Sequence, residues 1–142
     1  MSTAGDDWFE KEQLHFAAQN GDVDRMHALL AEWPNLSHFD TIGCTPLHYA
    51  VEKEDFRISK LLLESGADIN AHDREHIGEA PLGRVADTCT PEMARFLVER
   101  GADPTIPGWM QITAMYRAEQ RRDEDGPAVV KILKERKVLH GA

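Results

Sequence analysis

The chain repeats itself, and this limits what it can fold into more than any other feature. Gly66-Ala67-Asp68 returns as Gly101-Ala102-Asp103, 35 positions on, and Thr45-Pro46-Leu47 returns at the same offset as Ala80-Pro81-Leu82. Paired apolar residues keep the same rhythm: Leu29-Leu30, Leu62-Leu63, Leu97-Val98 and, more loosely, Leu133-Lys134 are separated by steps of 33, 35 and 36 residues. A period in this range marks a structure made by stacking one supersecondary unit, in which no copy buries its own apolar face and neighbours supply the core.

The clearest copy carries its own start and stop signals. Thr45 offers a capping hydroxyl and Pro46 suits the first helical position, so a helix begins there. His48 falls at the third helical position, where its side chain can reach back to the cap as a carboxylate does in a capping box. This helix runs to about Glu54. A second, Phe56 to Ser65, places Phe56, Ile58, Leu61, Leu62 and Leu63 on a broad apolar face and ends at Gly66, which accepts the left-handed conformation that closes helices. The other copies vary the scheme. Leu14 to Asn20 and Val23 to Ala31 form the first pair, with Asn20-Gly21 as the turn; Thr90-Pro91 opens a helix ending at Gly101; Thr113-Ala114-Met115 and Gly126-Pro127 open the last two. The last runs from Ala128 to about Val138, and neither helix of any pair reaches the ~12 to 15 residues that an isolated helix needs in water, so stacking must hold them. The expected core is Leu14, Ala17, Leu29, Leu30, Leu47, Ala50, Ile58, Leu62, Leu82, Met93, Leu97 and Leu133.

Asp40, Gly43, Thr45-Pro46-Leu47-His48, Ala50, Leu62-Leu63 and Gly66-Ala67-Asp68 together resemble an ankyrin repeat almost position for position. Weaker copies extend the resemblance over about residues 10 to 138, in the manner of a small stand-alone ankyrin-repeat domain of bacterial type. The resemblance implies an all-α ankyrin-repeat solenoid, a single domain over residues 1–142. It implies about four helix-turn-helix repeats, near 10–39, 40–72, 73–107 and 108–138, joined by short β-hairpins or loops, with the outer two as caps. It also implies a concave groove, lined by hairpin tips and first helices, that binds proteins.

Two copies depart from the pattern. In the third, Ala80 replaces the capping Thr and Gly83 replaces the His, at ~0.5 to 2 and roughly 1 kcal/mol in typical helices. The loop before it, Ala71 to Glu79, is two residues longer than its counterpart, either as neutral drift or as a finger that meets a partner. In the fourth, Gly108-Trp109-Met110 replaces the usual hairpin approach and Arg121 to Pro127 lengthens a turn. Trp109 can cover the last repeat's apolar face, the preferred reading, or stand out as an interface anchor.

Composition narrows the partners. With 25 acidic and 16 basic residues the formal charge is -9, and no Lys/Arg block reaches the density that phosphate neutralisation requires, so nucleic acid and anionic membranes are disfavoured. The longest apolar run is about four residues, against the ~18 of a membrane span. The polar, acidic start, Met1 to Asp7, does not read as a secretory signal, and two cysteines, Cys44 and Cys89, fit reduced thiols, so a cytoplasmic monomer is expected. His72 and His76 have i, i+4 spacing but lie in a loop without further ligands, and Cys44 with His48 lacks the geometry of a nucleophile and base, so neither a metal, a cofactor nor a catalytic residue is expected.

The remaining expectation is a partner-binding surface. At the second repeat it comprises Thr41, Ile42, Cys44, Glu52 and Lys53, and at the third His72, Arg74, Glu75, His76, Ile77, Glu79, Asp87 and Thr88, with Trp109 beyond. Ile42 and Ile77 are apolar where the repeat does not need them, either to meet a partner or to pack on neighbouring hairpins. Glu52, Glu75, Glu79 and Asp87 would form an acidic rim suited to a basic protein, such as a toxin or enzyme that the domain inhibits or confers immunity against. A small enzyme or metal protein with a site assembled from distant segments is the alternative from another class.

Overall fold

The computed structural model describes residues 12–32, 36, 38–75 and 78–141, with side chains described as far as residue 135. Eight α-helices occur among them: α1 (Gln13–Asn20), α2 (Val23–Glu32), α3 (Pro46–Glu52), α4 (Phe56–Glu64), α5 (Pro81–Val85), α6 (Pro91–Glu99), α7 (Ala114–Glu119) and α8 (Gly126–Gly141). No strand is present among the described residues, so the expected hairpins are loops. The chain divides into two compact units, Met1–Asp68 and Ile69–Ala142.

In the first unit α1 packs on both α2 and α3, and α4 on α3 and α2. The core is Leu14, Ala17, Ala18, Met26, Leu29, Leu47, Ala50, Val51, Ile58 and Leu62, each at most 4% exposed. Leu30, expected in this core, is only half-buried, and Phe56 is exposed rather than on the apolar face. The reason is geometry: α2 buries Met26 and Leu29, and α4 buries Ile58, Ser59 and Leu62, a stripe that leaves Leu30 at its edge and Phe56 outside it.

The predicted cap forms. Thr45 N–H donates to His48 Nδ1 at 3.0 Å, and the Thr45 hydroxyl lies 2.8 Å from the same nitrogen. As the acceptor of both, Nδ1 carries no proton, so the ring proton sits on Nε2. The second helices start and stop alike 35 residues apart. Asp55 accepts from Ile58 N–H (3.0 Å) and Thr90 from Met93 N–H (3.2 Å); Ala67 N–H reaches Leu62 O and Ala102 N–H reaches Leu97 O, both at 3.0 Å. Each closing turn passes through a glycine of positive φ, Gly66 or Gly101.

A second histidine does more than cap. His15, in α1 at the position of His48, is buried, and its Nε2 lies 3.0 Å from His38 O and 2.9 Å from Cys44 O. Two carbonyls can share only a donated proton, so Nε2 is protonated and α1 is tied to the loop of the next repeat. Nδ1 is then a buried acceptor with no partner. Burial pushes the His15 pKa below its ordinary 6.5 and outweighs the two backbone carbonyls and the Asp40 charge, which oppose it.

The second unit packs α5 on α7, α6 on α8 and α7 on α8, around Leu82, Val85, Ala86, Met93, Ala94, Leu97, Ala118, Val129 and Leu133. α5 has five residues and no side-chain cap, as the loss of Thr and His at Ala80 and Gly83 implies. α8, beginning at Gly126, supplies Val129, Ile132 and Leu133 as the terminal cover. Arg121, in the turn before it, is the counterpart of the His15 tie: its guanidinium donates to Ala86 O (3.2 Å) and Cys89 O (2.8 Å) and pairs with Asp123 through two bonds of 2.9 and 2.6 Å. The bonds to Asp123 outweigh burial and raise the Arg121 pKa above its ordinary value.

Two tests follow from these elements. Glu54 occupies the position of Gly21 33 residues on, and both are left-handed, at φ 54° and 69°. Left-handed backbone costs an L-residue roughly 1–2 kcal/mol, so Glu54→Gly is expected to raise unfolding free energy by about 0.5–1 kcal/mol in urea melts; a loss of stability would show that the Glu54 side chain contributes more than its backbone costs. For His15 the unfolded chain takes up the proton first, so its contribution is complete above pH 6.5 and is lost as pH falls below it. His15→Gln is expected to be less stable at pH 7 and to lose less stability than the parent between pH 7 and 5. Parallel curves would place the titration elsewhere.

Candidate functional site

The loop tips of the repeats are the candidate surface. In the first unit the tip is the turn 40–44, built around one carboxylate. Asp40 Oδ1 accepts from Ile42 N–H (3.1 Å) and Cys44 N–H (2.9 Å), Oδ2 accepts from the Tyr49 hydroxyl, and Asp40 N–H donates to Cys44 O at 2.8 Å. Burial alone would raise the Asp40 pKa, but the Tyr49 and backbone donors outweigh it and hold the carboxyl below its ordinary 3.8. This turn leaves Thr41 and Ile42 on the outside, and Ile42 is 59% exposed. Cys44, by contrast, is 2% exposed with its N–H and C=O both engaged, which removes it from the accessible set: its small apolar side chain fills the base of the turn. Glu52 and Lys53, at the end of α3, are exposed.

In the second unit His72 is half-buried, and Arg74, Glu75, Asp87 and Thr88 are exposed. His76 and Ile77 lie outside the described residues. Glu79 is not a free rim carboxylate: it is half-buried and ion-paired with Arg117 of α7, whose other terminal nitrogen lies 3.9 Å from Asp87. The cause lies in the fourth repeat. Gly108 stands at the position of Asp40, 68 residues on, and Arg117 at that of Tyr49. With no side chain at 108, the stem of Glu79 occupies the gap, its Cγ lying 2.5 Å from where a Cβ on Gly108 would be. Glu79 therefore delivers to Arg117 the carboxylate that Asp40 delivers to Tyr49.

Trp109 does not act as the cover of the last repeat. It is 53% exposed, Met110 beside it is 69% exposed, and α8 covers the apolar face instead. Trp109–Gln111 forms a single tight turn in which Met110 and Gln111 are both left-handed, at φ 56° and 63°, closed by Ile112 N–H to Trp109 O (3.1 Å) and Gly108 N–H to Ile112 O (2.9 Å). Met110 was legible in the sequence, since it lies 68 positions after Ile42; Arg117 and Arg121 carried no comparable signal. Among the described residues no group of three or more His, Cys, Asp or Glu could hold a metal ion. His72 is engaged, its Nδ1 with Asn70 O at 3.0 Å.

Comparison with known proteins gives one family. Its profile, described as ankyrin repeats in three copies, matches residues 3–73. A probable E3 ubiquitin-protein ligase of Oryza sativa subsp. japonica is 41% identical over 73 residues, 50% of this chain and 14% of that protein. Inversin of Danio rerio is 34% identical over 91 residues, 64% of this chain and 9% of that one. A putative E3 ubiquitin-protein ligase of Arabidopsis thaliana is 30% identical over 123 residues, 86% of this chain and 32% of that one. The chain thus spans a third or less of the length of these relatives.

The exchange around Gly108 is testable. Glu79→Gln is expected to cost about 1–3 kcal/mol, because a half-buried Arg117 loses its charged partner. Gly108→Ala should cost a similar amount by displacing Glu79. In a double-mutant cycle the two should be clearly less than additive; full additivity would mean that Gly108 and Glu79 act independently.

Proposed function

Because the chain belongs to the ankyrin-repeat family, whose repeats are protein–protein interaction modules, we propose that it binds another protein through its loop tips and the ends of its first helices. The observation that carries this is the exposure of Ile42 on a turn whose backbone is fixed by Asp40 and whose core does not need it. A preorganised apolar side chain loses little freedom on binding, and burying it contributes ~1.5–3 kcal/mol. Thr41 stands beside it on the turn and Lys53 is exposed at the end of α3; Trp109, with Met110, forms the exposed tip of the second unit.

The finer reading is a basic partner that this domain masks, as an inhibitor or immunity protein would. The net charge of -9 and the exposed Glu52, Glu75 and Asp87 support it, since such a surface steers a cationic protein at low salt. The two free, buried thiols suit a reducing compartment, and we place the protein in the cytoplasm as a monomer that needs no cofactor. No described helix is long and apolar enough to cross a membrane.

Co-purification from the native host should recover a basic partner. A Glu52→Lys, Glu75→Lys double variant is expected to melt as the parent does, yet to hold that partner at least about tenfold more weakly, equivalent to ~1.4 kcal/mol. Ile42→Ser should weaken binding in the same assay with little dependence on salt. Undiminished affinity in both would move the interface off these tips.

A further inference from the structure

The second unit contains a cleft that runs against the acidic character of the chain. It measures about 610 Å³ and lies between the loop carrying His72, Arg74 and Gly78 and the loop carrying Ile106 to Gln111. In a chain with 25 acidic residues, none of the described residues lining it is Asp or Glu. Among the described residues lining it the one charged side chain is Arg74, which is exposed and forms no ion pair with a described carboxylate. The carboxylates around it do not neutralise it: Asp73 is buried and accepts from Glu75 N–H (3.1 Å), Glu75 is exposed and forms no ion pair with Arg74, and Glu79 is paired with Arg117.

Arg74 is also held in place. Asn70 is fixed by two bonds, from its Nδ2 to Gly101 O (3.1 Å) and from Asp103 N–H to its Oδ1 (2.8 Å). Its carbonyl takes the His72 Nδ1 proton at 3.0 Å, which leaves His72 Nε2 as an acceptor 3.4 Å from Arg74 Nε. The terminal nitrogens of the guanidinium remain for a ligand, in the planar arrangement that grips a carboxylate with two bonds. The opposite wall is the Trp109–Gln111 turn, whose two successive left-handed residues, Met110 and Gln111, hold the exposed Trp109 and Met110 side chains, each more than half exposed.

We propose that this cleft binds an extended segment of a partner protein in which a bulky apolar side chain stands next to an Asp or Glu. The apolar group packs on Trp109 and Met110, and the carboxylate pairs with Arg74. The inference rests on the reading of the chain as a protein-binding module. It names a contact of opposite charge to the exposed Glu75 and Asp87 of the same unit, so that a partner meeting both must be basic overall with an acidic, apolar segment.

The test uses the full chain. A displayed library of random heptapeptides selected on it should enrich Asp or Glu beside Leu, Phe or Trp. A fluorescein-labelled copy of the enriched peptide should bind at least about tenfold more weakly to Arg74→Glu and to Trp109→Ala, both melting as the parent does. Replacing the peptide's acid with Lys should abolish binding to the parent and recover it on Arg74→Glu. Enrichment of Lys or Arg, no enrichment, or a peptide indifferent to both substitutions overturns the proposal. If the co-purified partner is lost on reversing Glu52 and Glu75 but is retained by Arg74→Glu, the cleft assignment falls while the protein-binding function stands.

Discussion

Each unit depends on a buried donor that satisfies carbonyls in a neighbouring loop. A loop packed against helices carries C=O groups that water cannot reach, and each one left unpaired costs free energy comparable to a lost hydrogen bond. In the first unit His15 supplies one proton to both His38 O and Cys44 O; in the second Arg121 supplies Ala86 O and Cys89 O. The two solutions differ in chemistry. The imidazole must stay neutral to work with an unpartnered Nδ1, whereas the guanidinium is always charged and carries Asp123 as its counterion. The first tie is therefore sensitive to mild acid and the second is not.

Within this frame the repeats exchange side chains without losing the interaction. Tyr49 and Asp40 meet inside one repeat; in the fourth repeat the same two positions are Arg117 and Gly108, and Glu79 of the preceding repeat crosses into the space that Gly108 leaves. The exchange converts a hydroxyl-to-carboxylate bond into an ion pair between repeats. It also engages the Glu79 carboxylate beside Gly108.

Rigid turns give the exposed tips their functional meaning. Ile42 and Met110 occupy equivalent positions, and each stands on a turn closed by backbone hydrogen bonds. Single exposed apolar residues are ordinary on protein surfaces. An apolar residue held in place by a carboxylate network, or by a turn with two successive left-handed residues, is a different matter, because it has little freedom left to lose on binding.

The sequence by itself determined the repeat, the helix starts and the second-helix stops, because these rest on local chemistry: a hydroxyl or carboxylate before a helix, proline in its first turn, glycine after its end. It also marked Ile42 and, through the 68-residue offset, could have marked Met110. Other features were decided only by the tertiary structure, since they depend on what stands across from a residue rather than beside it. Cys44 is buried because its turn folds inward around Asp40; Glu79 leaves the acidic rim because Gly108 makes room for it; Trp109 stands out because α8 takes the cover it was expected to provide. His15 stands at the position of His48, yet its bonds reach residues 23 and 29 positions away, because a hydrogen bond between repeats depends on which carbonyls stand across from the ring and not on the residues beside it.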